Sequence, residues 1–217
     1  MKKIPAYEEL MDYRRFVAAL YVRVRDTELN AESCSERFRR ERDRLFAEHS
    51  QSPLSGEQRA DFMGLDYYTY DPALRFAATV EHDVEPGEIE VELLEDGILR
   101  LRRFGRVRLL INGEEHSLSL FWVSGYGGGV FLPFKDVTAG RETYGGGRYL
   151  LDTIKHADLG SEGGSLVLDF NYAYNPSCAY NPRWHCPLSP PENNLPIEIR
   201  AGEKAYGGPT TNETEDF

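Results

Sequence analysis

From Leu74 to Val123 the chain reads LRFAATVEHDVEPGEIEVELLEDGILRLRRFGRVRLLINGEEHSLSLFWV, and its period decides the fold. Apolar and polar side chains alternate through Arg75–Glu81 and again through Glu88–Leu93, as in strands with one face in a core. Glu95-Asp96-Gly97 and Asn112-Gly113 supply two-residue turns, because glycine accepts the positive φ of tight hairpins. They flank Ile98–Arg103, Val107–Ile111 and His116–Val123, and the spacing predicts five or six strands in a meander.

Upstream the period changes to that of a helix. Between Ala6 and Leu29, Leu10, Tyr13, Val17, Leu20, Tyr21 and Val24 recur at steps of three and four. Ser33-Cys34-Ser35-Glu36 reads as a capping box opening a second helix on Cys34, Phe38, Leu45 and Phe46, and the Arg-rich run 37–44 between them reads as its solvated face. Ser55-Gly56-Glu57-Gln58 predicts a third, short helix to about Met63. The aromatic stretch 64–72 has no helical period and reads as the loop where helix gives way to sheet.

Downstream, Tyr126 and Tyr144 are each followed by three glycines and a strand-like segment, which marks barrel corners or close backbone approach. Neither run has the strand-to-helix setting of a phosphate cradle, so a nucleotide-binding fold is rejected. Ser165–Phe170 and Leu195–Ala201 are expected to close the sheet. The expectation is an α+β chain, mainly antiparallel β, with a sheet curled into a barrel or sandwich and two or three N-terminal helices. Residues 1–63 form the helices packed on the sheet, 64–206 the β domain with a Cys/Pro/Asn-rich site segment at 167–204, and 207–217 a flexible tail.

The net charge of −11 speaks against nucleic acid or an anionic membrane as partner. No apolar run is long enough to span a bilayer and no signal peptide is read, which points to the cytoplasm.

Three cysteines, at 34, 178 and 186, allow one intramolecular bridge at most. Cys178 and Cys186 admit several readings. A disulfide would close a short loop, though cytosolic thiols are usually reduced. A zinc site lacks the usual paired spacing. A Cys178 nucleophile with His185 or His156 as base is chemically feasible. Packed, unreactive thiols complete the set. The expectation is that both are structural and that neither a metal nor a cofactor is bound.

At Phe134–Thr138, Thr143–Leu150, Leu168–Asn171, Cys178-Ala179-Tyr180, Cys186-Pro187, Glu192-Asn193 and Ala201–Lys204 the chain resembles a bacterial and archaeal family known as domain of unknown function 1684. Ser189 stands where that pattern leads one to expect proline. The resemblance implies a shared site and names no reaction. Strand ends at one rim would bring its motifs together, so Arg148 and Lys135 are expected to bind an anionic group of a small ligand. Asp136, Tyr144, Asp169, Asn171, Tyr174 and Asn175 would complete that pocket, with Asn193 and Glu203 structural. A binding protein is therefore expected, and a small-molecule hydrolase or transferase using Asp, His and Cys side chains of the same pocket is the alternative. The sequence fixes neither the ligand nor the oligomeric state.

Overall fold

The computed structural model describes residues 7–26, 29–93 and 97–207, so the tail and part of the 95–97 turn lie outside the described residues. Three helices come first: α1 (Tyr7–Arg25), α2 (Ala31–Glu48) and α3 (Gly56–Ala60). In α1, Glu8 and Glu9 sit in the first turn and Arg23 and Arg25 in the last, matching the helix dipole. The capping box at Ser55 and Gln58 forms as expected. The cap of α2 is different: Asn30, not Ser33, accepts the Ser33 N–H at 2.9 Å. Asn caps as well as Ser, and this choice adds residues 31–33 to the helix.

A five-stranded antiparallel sheet follows in simple meander order: β2 (Gly87–Glu92), β3 (Ile98–Ile111), β4 (Glu114–Val123), β5 (Gly129–Phe134) and β6 (Arg148–Asp152). Asn112 and Gly113, at φ 53° and 83°, make the β3–β4 turn. A smaller sheet pairs β1 (Arg75–Ala78) with β8 (Ser165–Asp169), and β8 with β7 (Ser161–Glu162). Neither ladder closes on itself, so the barrel expectation is corrected to two open sheets sharing a core. The expected strand at 195–201 is likewise absent: that segment is extended coil, held by isolated contacts such as Val137 N–H to Ile197 O at 3.0 Å.

The two strands expected at 98–103 and 107–111 are one strand with a bulge. Arg103 pairs with Phe121 and Gly105 with Leu120, leaving Phe104 as the extra residue. One inserted residue reverses which side of the sheet each later side chain meets. Before the bulge, Leu101 packs with Phe121 and Val123 against Val17, Leu20, Tyr21, Phe38 and Leu45 of the helices. After it, Val107, Leu109 and Ile111 join Leu118, Leu120, Phe134 and Leu168 in the core between the sheets. Gly105 also admits a neighbour: a Cβ there would lie 2.7 Å from Val80 Cγ1, where Glu81 exchanges two backbone hydrogen bonds with Arg106. The edge of β3 is thus shared by β2 and the 79–85 segment.

No helix among the described residues is long and apolar enough to cross a membrane. Asn30→Ala is expected to cost about 1 kcal/mol, whereas Ser33→Ala should stay within about 0.5 kcal/mol. Urea unfolding of the two variants checks the order, and equal losses would return the cap to Ser33.

Candidate functional site

Arg148 opens β6 directly after Gly147, whose φ of 89° brings it so near Phe134 that a Cβ would lie 2.5 Å from that residue's carbonyl oxygen. The arginine is 1% exposed. Its Nη1 donates to the carbonyls of Ala201 and Glu203, and its Nη2 to Ile199 O at 2.9 Å and Asp136 Oδ1 at 3.2 Å. The guanidinium also lies over the Phe134 ring, 5.0 Å from its centroid. Burial pulls its pKa below the ordinary value, and Asp136 opposes that pull. The other oxygen of Asp136 accepts from Thr138 Oγ1 and Ile199 N, both at 2.8 Å. Arg148 and Asp136 are therefore partnered within the protein, and the expectation that this arginine clamps a ligand anion is corrected.

Glu203 is a second buried hub, 1% exposed. Its Oε1 accepts from Arg42 Nε at 2.5 Å and Tyr67 Oη at 3.3 Å, and its Oε2 from Asn175 N at 2.8 Å and from the Tyr180 hydroxyl. Arg42 lies over the rings of Phe46 and Tyr174, at 4.7 and 5.2 Å. Burial opposes its charge, but Glu203 and the tyrosines around it hold the guanidinium protonated well above its usual range. Burial also raises the Tyr67 and Tyr180 phenols, and Glu203 pushes the same way.

Arg42 belongs to the run read as a solvated face, and that reading is corrected. Arg39 stacks over Tyr67 at 4.7 Å and Asp43 accepts the Leu65 N–H at 3.0 Å, so this side of α2 holds the 64–67 loop. The signal lies in the spacing: Arg42 stands four residues from Phe38 and from Phe46, in phase with the buried stripe.

Several of the remaining predicted residues also bond within the protein. Asn171 accepts Asp71 N at 2.8 Å and donates to Asp71 O and Asp169 Oδ1, tying the loop before β1 to the end of β8. Burial raises the Asp169 carboxyl, against the hydrogen bonds from Asn171. Asn175 Nδ2 donates to Lys204 O at 2.7 Å, while Asn175 Oδ1 and Tyr174 Oη, both buried, meet no protein partner. Asn193, fully buried, bonds Ser119 through both its amide groups and donates to Pro133 O at 2.7 Å. Lys135 contributes its main chain, receiving Leu195 N at 2.7 Å and donating to Asn193 O at 3.0 Å. Tyr144 stands apart from these, with its hydroxyl 3.6 Å from Cys178 Sγ. The structure thus gives most of the predicted set partners within the protein.

Concave surface lies elsewhere. A groove of about 310 Å³ is lined by Asp83, Val84, Glu85, Arg103, Arg106, Ser117, Ser119 and Glu192. It occupies the face of β3 and β4 that carries Phe121 and Val123, at the end the helices leave bare. Arg103 Nη2 meets Glu192 Oε2 at 2.6 Å and its Nη1 donates to Glu85 O, while Arg106 Nε meets Glu81 at 2.7 Å. Ser119 Oγ donates to Glu192 at 2.9 Å. The predicted set contains none of these lining residues, because only the β3 bulge and the path of the 79–85 segment bring them together.

Helices on an open antiparallel meander, with a returning C-terminal segment bonded through its carbonyls to Arg148 of β6 and through Glu203 to Arg42 of α2, define an α+β protein with mainly antiparallel strands. The chain belongs to the family described as "Protein of unknown function (DUF1684)", whose model matches residues 60–204. The matched span includes Glu203 and Arg148 and stops short of Arg42. Among solved structures, the chain is similar to the solution NMR structure of an uncharacterized protein of Haloarcula marismortui, at 38% identity and a TM-score of 0.57. That likeness covers 80% of this chain and 93% of the other. No curated protein matches the chain.

Arg148→Met removes a buried charge from Asp136 and orphans three carbonyls, so it is expected to cost about 3–5 kcal/mol. Chemical denaturation measures the loss, and a variant as stable as the wild type would contradict the internal role.

Proposed function

We propose that the protein is a binding module for a small polar ligand with an anionic group, seated in the groove beside Arg103 and Arg106. The observation that carries this reading is the groove itself, where Arg103 and Arg106 line open concave surface of about 310 Å³. Both arginines pair with carboxylates that are still about a third exposed, so a ligand carboxylate or phosphate reaches them by displacing a partly solvated partner. Asp83, Glu85 and Glu192 add acceptors for donor groups on the rest of the ligand. The lining holds neither thiol nor imidazole to serve as nucleophile and base, which favours binding over hydrolysis or transfer. In the same reading the protein works in the cytoplasm on a small molecule, since its net charge of −11 repels nucleic acid and anionic membrane.

A thermal-shift screen of small carboxylates and phosphates, followed by calorimetry on any hit, tests it. Arg103→Gln is expected to weaken binding by about 1.5–3 kcal/mol, the worth of hydrogen bonds to charged groups. Glu192→Gln should act in the opposite direction, because it removes the anion that competes for Arg103. Binding that ignores both substitutions, or no binding by any anion in the screen, would overturn the proposal.

A further inference from the structure

The groove carries unmet demands of opposite sign on its two sides. Asp83 and Glu85 line it from the segment leading into β2, with Asp83 at the centre of a tight turn in which Val84 N donates to His82 O at 3.0 Å. Both are exposed, and among the described residues neither carboxylate accepts a hydrogen bond or pairs with a cation. On the sheet side, Arg103 and Arg106 of β3 line the groove with Ser117 and Ser119 of β4. Arg103 has its terminal nitrogens taken: Nη2 meets Glu192 and Nη1 donates to Glu85 O at 2.9 Å. Its guanidinium lies so close over the chain that a Cβ at Gly87 would stand 3.3 Å from Cζ. Arg106 is less committed. Among the described residues it donates through Nε alone, to Glu81 at 2.7 Å, and Glu81 is shared with Arg108. The two terminal amino groups of Arg106 and the Ser117 hydroxyl are therefore available to a ligand.

Charge and hydrogen bonding together select the occupant. A simple anion would satisfy the Arg106 fork but would lie close to two carboxylates that no protein cation pairs with among the described residues, in a chain of net charge −11. A simple cation would satisfy those carboxylates and leave the fork unused. A molecule carrying both charges meets both sides at once, because an ammonium brings three donors to carboxylates and a carboxylate accepts two from a guanidinium.

We propose that the ligand of this groove is a free amino acid, its carboxylate on Arg106 and Ser117 and its ammonium on Asp83 and Glu85, an inference resting on the reading of the groove as a ligand site. The contact of Arg103 with the main chain of Glu85 brings the cationic row of β3 against the 83–85 segment, so a short carbon skeleton between the two ligand charges is enough to reach both. The volume of about 310 Å³ stands at the lower end of the range for small-molecule sites, in keeping with a ligand of this size. Val84 is the apolar member of a lining that is otherwise polar, so amino acids with small or polar side chains are favoured over leucine and phenylalanine.

The test is a thermal-shift screen of the common amino acids on the intact protein, after which the best binder is compared by calorimetry with its own deaminated acid and decarboxylated amine. For alanine these are propionate and ethylamine. Each half-molecule is expected to bind about ten- to a hundredfold more weakly than the amino acid, the worth of the charged hydrogen bonds it lacks. In the double variant Asp83→Asn, Glu85→Gln, which replaces exposed side chains without protein partners, amino-acid affinity should fall by a similar factor while the deaminated acid binds at least as well as before. Equal binding of the amino acid and its deaminated acid by the wild type would overturn the proposal, and that comparison needs no variant. So would unchanged amino-acid affinity in the double variant. If small carboxylates or phosphates bind and no amino acid does, this inference falls and the anion-binding groove stands; if none of them binds, both fall.

Discussion

The arrangement rests on the burial of charge along residues 199–204. Main chain at 66–68 and Ala173 bonds part of that segment, and its remaining carbonyls need partners from elsewhere. Arg148 supplies donors to the carbonyls of Ile199, Ala201 and Glu203, doing with one side chain what the N–H groups of an adjacent strand would do. Asp136 completes the match by accepting the Ile199 N–H. Glu203 then ties in α2 through Arg42, the 64–67 loop through Tyr67 and the segment after β8 through Asn175 and Tyr180. Buried ion pairs contribute little net stability against apolar substitutes but are costly to break from one side. Here they fix which segments meet.

This explains why the polar, aromatic run after β8 resembles a binding site in sequence. An irregular segment passing through a core leaves donors and acceptors that no ladder satisfies, and Asp, Asn, Arg and Glu are the side chains able to meet them. A ligand pocket recruits the same residue types for the same reason. Composition alone does not separate the two, whereas bond counts do: Asn171 gives and receives at Asp71, and Asn193 bridges Ser119 and Pro133.

The parts of the fold legible in the sequence are those set by local chemistry. The α1 stripe, the Ser55–Gln58 box, the Asn112-Gly113 turn and the meander order each follow from residues within a few positions of one another. The illegible parts depend on distant partners. The Phe104 bulge is required because β3 serves the helix side with Leu101 and the inter-sheet core with Val107, a demand set by α1, α2 and β8 together. The 195–201 segment looks like a strand from its apolar residues, but its backbone bonds go to scattered groups: Lys135 O, Val137 N–H, the Asp136 carboxylate and the Arg148 guanidinium. Arg42 reads as solvated because its carboxylate partner lies 161 residues away.

Buried polar groups bonded to one another hold the chain, whereas the ion pairs lining the groove are still partly solvated. The Arg103–Glu192 pair is partly solvated, so its attraction is screened more than that of Arg148 and Asp136 in the interior.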